Sequence, residues 1–241
     1  MAKQHETGHS RNLANMELLI TLCTAIGAKY NPGNTAIKLP ALQTALTAAK
    51  ESSEKVMAKK TVLLKMINDR EERFRGLPSI STRVLNLLIA SGASTNTVAD
   101  CKFFVRKLNG RRAINSKATA TELTEAKTIS VSQLSFDSKV QHFSGLIATL
   151  EQADNYQPNE SELKITKLKQ ILVDAVNATT AVNEAQAAYY KARDNRSKVM
   201  YDEPNCLIEL AKMVKAYLKA AFGVKSDEYS QVSGLPFRPV G

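Results

Sequence analysis

Turn-forming residues are scarce in this chain, with only 10 Gly and 7 Pro among 241 residues, well below the roughly 12% of average proteins. That excludes a collagen-like or loop-dominated protein and predicts long helices. Cysteine is rarer still: Cys23, Cys101 and Cys206 are odd in number, widely separated and set among apolar neighbours. A disulfide framework or a zinc site needs paired spacings that are absent, so buried, reduced thiols and no metal are expected. Tryptophan is absent, and no apolar run approaches the roughly 18 residues of a membrane span; the stretch from Val84 to Ala90 is far too short. The start, Met1 to Asn12, carries Lys3, His5, Glu6, His9 and Arg11 instead of the apolar core of a secretory signal. A cytoplasmic protein without membrane insertion is the expectation. The sequence also lacks a phosphate-binding glycine loop, a His-Glu-x-x-His helix and a Gly-x-Ser-x-Gly elbow, so neither an enzyme nor a cofactor is expected.

What the chain has is apolar residues, helix formers and positive charge. Hydrophobic residues make up 44% and charged residues 23%, enough to build a packed core and too apolar for a disordered chain. Lys and Arg number 33 against 23 Asp and Glu, giving a net charge of +10.

An internal repeat organises the sequence. Tyr30-Asn31-Pro32-Gly33-Asn34 finds a counterpart in Tyr156-Gln157-Pro158-Asn159-Glu160, 126 positions later. The same displacement pairs Lys38 with Lys164, Leu42 with Leu168, Leu46 with Leu172, Ala49 with Ala175, Val56 with Val182, Lys65 with Lys191, Arg70 with Arg196 and Pro78 with Pro204. It equals eighteen heptads, so helical phase is preserved between the copies. Both copies show a 4,3 apolar seam of coiled-coil type. The first runs through Leu42, Leu46, Ala49, Ser53, Val56, Lys60, Leu63, Ile67, Arg70 and Phe74; the second through Leu168, Leu172, Ala175, Thr179, Val182, Gln186, Tyr189, Arg193, Arg196 and Met200. Polar residues interrupt both seams at Ser53 and Thr179, Lys60 and Gln186, Arg70 and Arg196. Either these fix helix register, or the seam rotates and they reach solvent.

Each copy resolves into similar elements. The first helices cover about 13–29 and 137–154, and each ends at a Tyr-x-Pro turn. Long helices of about 40–75 and 166–201 follow, each spanning roughly 54 Å at 1.5 Å per residue. Pro78 and Pro204 are expected to break them and to start the next helices, at about 79–91 and 205–222. Gly92 and Gly223 are expected helix stops. The first copy adds a helix at about 97–108; the second has a short candidate at about 227–232. The expected fold is therefore all-α, an elongated helical bundle of two duplicated units, each with one long helix. Its divisions are a first repeat with a polar tail at 1–109, a linker or strap at 110–135 and a second repeat with an extended tail at 136–241. A helix, an extended strap or disorder all fit the first part of the linker. About 20 extended residues reach roughly 66 Å, enough to return along a bundle, which favours a strap.

Several segments carry a family resemblance. His5-Glu6-Thr7-Gly8-His9 with Asn12, Ala14 and Asn15, the Tyr30-Asn31-Pro32 turn, the stretch from Ile129 to Asp137 and the ending from Phe222-Gly223 to Ser233 resemble a group of tandem-repeat helical-bundle proteins of Bacteroidota. The resemblance covers most of the chain and implies a bacterial source and a stable helical architecture. That group has no established activity, so no catalytic residue, cofactor or partner carries over.

Candidate sites come from residue chemistry. His5 and His9 stand four apart, with Glu6 three before His9, but a di-iron bundle needs a second Glu-x-x-His pair, and none exists. They read as a terminal tail, mobile or docked, and His142 as a bundle-edge histidine. Residues 1–120 hold 19 Lys and Arg against 8 Asp and Glu, whereas residues 121–241 hold 14 against 15. Within the first copy, Lys102, Arg106, Lys107, Arg111 and Arg112 form a basic stripe, and Arg70, Arg73, Arg75 and Arg83 flank the Pro78 hairpin. Such a stripe could neutralise several phosphates and bind nucleic acid without sequence preference, or bind an acidic protein. Phe103 and Phe104 beside it read as core residues.

The tail from Tyr229 to Gly241 contains Gly234, Pro236 and Pro239, which disfavour a helix. It reads as an extended arm whose Tyr229, Val232, Leu235 and Phe237 could dock on a neighbouring molecule or fold back on their own bundle. The leading expectation is a non-enzymatic structural or scaffolding protein that self-associates through repeated surfaces and terminal arms. Nucleic-acid binding by the first repeat is the alternative.

Overall fold

The computed structural model describes residues 8–111 and 134–239. Among these residues every regular element is helical: α1 His9–Ile26, α2 Leu39–Arg75, α3 Leu77–Ala90, α4 Thr95–Leu108, α5 Phe136–Glu151, α6 Ile165–Ser197, α7 Leu207–Phe222 and α8 Asp227–Ser233. A π-helical turn, Lys198–Asp202, follows α6, and 3-10 turns occupy Thr35–Ile37 and Ser161–Leu163. The expected all-α class and the two long helices are present. Gly92 and Gly223 terminate α3 and α7 in the positive-φ conformation, at 73° and 91°, which L side chains rarely adopt.

The compact units divide the chain differently from the expected 1–109 and 136–241. A terminal unit joins residues 1–63 to 185–241, and a central unit comprises residues 64–184. Both long helices pass from one unit into the other: α2 gives residues 39–63 to the terminal unit and 64–75 to the central one, and α6 gives 165–184 to the central unit and 185–197 to the terminal one. The shorter helices follow suit. α1 packs with α7 and α8, while α5 packs with α3 and α4. Each unit thus pairs the helix that precedes one long helix with the helices that follow the other. The excess charge divides accordingly, with 17 Lys and Arg against 10 Asp and Glu in the terminal unit and 16 against 13 in the central unit.

In the terminal unit, Met16, Leu19 and Cys23 of α1 recur at helical spacing and meet Leu207, Ala211, Val214 and Leu218 of α7 in one buried cluster, closed by Leu42 and Ala49 of α2. In the central unit, Phe143, Leu146 and Leu150 of α5 play the same part against Leu77, Val84 and Leu88 of α3 and Cys101 and Leu108 of α4. Each turn between an opening helix and a long helix is held by a buried tyrosine. Tyr30 Oη donates to the Ile37 carbonyl at 2.6 Å, and Tyr156 Oη donates to the Leu163 carbonyl at 2.7 Å. A buried carbonyl left without a donor costs about 1–3 kcal/mol, so these bonds fix the turn.

Along the seams, Leu42, Leu46, Ala49, Val56, Leu63 and Phe74 are buried in α2, and Leu168, Ala175, Val182 and Met200 in the second series. Ser53 and Thr179 donate their hydroxyls to the carbonyls of Ala49 and Ala175, both at 3.1 Å. Lys60 is exposed, and Ser52 and Ala185 are buried one position before the expected Ser53 and Gln186. The apolar seam thus keeps its register through Val56, Leu63 and Phe74, widens at Ser52 and Ala185, and lets Lys60 reach solvent.

Two boundaries differ from expectation. Pro78 lies in the first turn of α3, but Pro204 precedes α7 and starts no helix. Beyond Ser197 the backbone widens into the π-helical turn, closed by the Glu203 N–H on the Lys198 carbonyl at 3.0 Å, and Asn205 takes a φ of 61°. The strap expectation at 110–135 falls mainly outside the described residues. Its two ends do meet: a Cβ on Gly110 would lie 3.1 Å from Leu134. α4 packs directly on α5.

Candidate nucleic-acid interface

Helix α4 positions the predicted basic residues. Ser94 caps its start, its hydroxyl accepting from the Thr97 N–H at 3.2 Å. Cys101, Val105 and Leu108 turn inward, and the 3.6-residue period then places Lys102, Phe103, Arg106 and Lys107 away from the core. The C-terminus closes as a Schellman motif: Gly110 N–H bonds the Lys107 carbonyl at 3.1 Å, and Arg111 N–H bonds the Arg106 carbonyl at 3.0 Å. This needs the positive φ of Gly110, 66°, and it folds the backbone of Arg111 back on the last turn. The negative end of the helix dipole favours the cations gathered there.

Phe103 corrects the core expectation. It stands two positions from both Cys101 and Val105, about 200° around the helix, and is 47% exposed. Phe104 is half-buried, with its ring against α5 at Gly145, where a Cβ would come within 2.5 Å of the ring. The two rings meet edge to face, 5.3 Å apart at 80°. The Arg106 guanidinium and the Lys107 ammonium each lie 5.7 Å from the Phe103 centroid. Among the described residues, none of Lys102, Arg106, Lys107 and Arg111 forms an ion pair. Arg112 lies outside the described residues. His142 of α5 completes the neighbourhood: its Nε2 is buried without a partner, and burial, then the charge of Lys107, lowers its pKa below the usual histidine value. At neutral pH it adds no charge.

Of the other basic cluster, three arginines are engaged and Arg75 is exposed without an ion pair among the described residues. Arg73 pairs with Asp174 at 3.4 Å and Arg83 with Glu162 at 2.8 Å, while the Arg70 guanidinium stacks 3.9 Å from the Phe136 centroid. A cleft of about 310 Å³ beside Arg73 is lined by Leu77, Ile80 and Ile171, with Glu72, Lys167 and Asp174 at its rim. Its charges are of both signs, so it does not select an anion.

The predicted assembly arm is docked on its own unit, not extended outward. Ser226 caps α8, Val232 is fully buried, and Tyr229, Leu235 and Phe237 pack against the terminal core. The cause is a set of partners remote in sequence: Asn12 and Asn15 of α1, both buried, donate to the Arg238 and Pro236 carbonyls at 2.7 and 2.6 Å. Nothing in the spacing of the tail announced them. His9 opens α1 and lies 2.7 Å from Tyr201 Oη; burial, then Arg196 and Arg193, lowers its pKa. His5 and Glu6 lie outside the described residues. The three cysteines are buried and unpaired, and burial pushes the Cys23 and Cys101 thiols up to about 11. Among the described residues no three His, Cys, Asp or Glu side chains gather as metal ligands, and no helix is long and apolar enough to cross a membrane. No family model matches the chain, and neither a characterised protein nor a solved structure shows significant similarity to it.

Proposed function

We propose that the protein is a non-enzymatic binding protein that holds single-stranded nucleic acid, without sequence preference, on the α4 face of its central unit. One observation carries this reading: an exposed Phe103 flanked by Arg106 and Lys107, with no carboxylate paired to either. A ring open to solvent offers a stacking surface for a base, and the adjacent cations meet the phosphates on either side. Arg70 and Phe136, by contrast, consume each other inside the protein. Four phosphate contacts, one each to Lys102, Arg106, Lys107 and Arg111, would give a salt slope of about −3 for a single strand.

Fluorescence anisotropy with a thymidine oligonucleotide tests this. Binding at low ionic strength is expected to fall with that slope, and Phe103→Ala is expected to weaken it about 5- to 150-fold, the equivalent of one stacked base. No binding at low salt would sink the reading. Equal binding of polyglutamate, unaffected by Phe103→Ala, would redirect it to an acidic protein partner.

A second reading, self-association in a structural role, is favoured by apolar residues left on the long helices. Met57 and Leu64 stand seven apart on one stripe of α2 and are 63% and 51% exposed; Val173 and Val176 of α6 are similarly bare. Met57→Lys with Leu64→Lys is expected to dissolve any oligomer seen by light scattering. The two sequence repeats, 1–109 and 136–241, are read as copies of one helical unit, a reading supported by the matching tyrosine bonds and the Ser53 and Thr179 hydroxyl bonds.

A further inference from the structure

In the terminal unit the C-terminal tail lies in a groove that bonds its main chain. Residues 234–239 leave α8 at Gly234 without regular structure and lie against α1 and α7. The groove reads the main chain of this segment. Asn12 Nδ2 donates to the Arg238 carbonyl at 2.7 Å while Asn12 Oδ1 accepts from the Arg238 N–H at 3.2 Å, so one amide satisfies both polar groups of one residue. Asn15 Nδ2 donates to the Pro236 carbonyl at 2.6 Å. Lys215 of α7 donates to the Ser233 and Leu235 carbonyls at 3.2 and 2.5 Å, and its ammonium lies 5.4 Å from the Phe237 centroid. Asn12 and Asn15 are each 3% exposed. Without the tail over them, Asn12 would keep its Nδ2 contact with Tyr201 Oη, at 3.3 Å, and Asn15 would lose its bond to the Pro236 carbonyl.

We propose that this groove is a receptor for an extended, proline-containing peptide, and that the tail of a second copy, residues 234–239, can fill it in place of the chain's own. The polar contacts fall on the backbone, and the side-chain contribution comes from Leu235 and Phe237, so a tail arriving from another molecule presents the same groups. The short connection from α8 gives the chain's own tail a high effective concentration, which keeps the groove filled in cis until that tail is withdrawn. Exchange of one element between identical chains then costs no new contact. The inference stands apart from the α4 face, since it uses no residue of the central unit.

Two full-length variants test it. Asn12→Leu with Asn15→Leu disables the groove and leaves an intact tail; Leu235→Asp with Phe237→Asp disables the tail and leaves an intact groove. Light scattering is expected to show each variant alone at monomer mass and their mixture forming a 1:1 pair of about twice that mass. A mixture that stays at monomer mass, with both variants retaining wild-type helical circular dichroism, would overturn the proposal. Should the Asp substitutions lose helicity, the milder pair Asn12→Ala and Phe237→Ala repeats the test, and the same absence of pairing would be equally decisive.

Discussion

The two units bury nearly the same skeleton and finish it differently. Met16, Leu19, Ile20 and Cys23 in α1 occupy the burial positions that Phe143, Leu146, Ile147 and Leu150 occupy in α5. On that alignment Asn12 and Asn15 correspond to Lys139 and His142. In the terminal unit these positions are buried amides clamped on the chain's own tail; in the central unit the second is a histidine whose Nε2 has no partner among the described residues, near Lys107 of α4. Even His9 and Phe136 correspond, one near Arg196 and the other under Arg70. A shared core therefore does not imply a shared surface. One unit closes over its own tail, and the other leaves the cations of α4 without ion pairs among the described residues.

Four experiments put this contrast at risk. The largest losses are expected from Leu218→Ala in the terminal unit and Leu88→Ala in the central unit, both fully buried, at about 2–5 kcal/mol each in urea unfolding. A marked inequality would mean that the cores are less alike than their burial patterns. Tyr30→Phe and Tyr156→Phe come next, at about 1–3 kcal/mol each, since each strands a buried carbonyl.

Gly145→Ala separates the units. Its Cβ would press on the Phe104 ring, costing about 1–3 kcal/mol and weakening nucleic-acid binding without removing a charge. The corresponding α1 residue, Leu18, is 46% exposed, and Leu18→Ala is expected to change stability by no more than about 0.5 kcal/mol. The smallest effect is in pH. His9 and His142 have folded-state pKa values below the unfolded value, so the unfolded chain binds protons first as pH falls. Their contribution to stability is complete above the ordinary histidine pKa of about 6.5 and is lost as pH drops through the depressed values. The melting temperature is expected to fall on acidification, and His9→Gln with His142→Gln to flatten that part of the profile.

Much of the fold was legible because it is local. The 4,3 spacing of Leu42, Leu46 and Ala49, the Tyr30 and Tyr156 turns and the glycine stops at Gly92 and Gly223 are set by residues within a few turns of one another. The site was only half legible. Lys102, Arg106 and Lys107 do lie on one helix, as their spacing predicts, but Phe103 was assigned to the core because an aromatic at helical spacing is usually buried. Its exposure follows from Cys101 and Val105 facing inward, and that phase becomes certain only once α5 is in place. The clamp on the tail was invisible, because Asn12 and Asn15 stand more than two hundred residues from the carbonyls they bind.

Helix, seam and turn were thus written in the amino-acid order, since backbone hydrogen bonds and apolar periodicity act over three to seven residues. Which helices share a core, which basic residues remain unpaired and where the C-terminal tail lies depended on partners from distant parts of the chain. The +10 net charge illustrates the difference. Counted along the sequence, its excess lies in the first half; counted by compact unit, both units are positive, and only folding leaves Lys102, Arg106, Lys107 and Arg111 without ion pairs among the described residues, near an exposed ring, while Arg73 and Arg83 meet carboxylates.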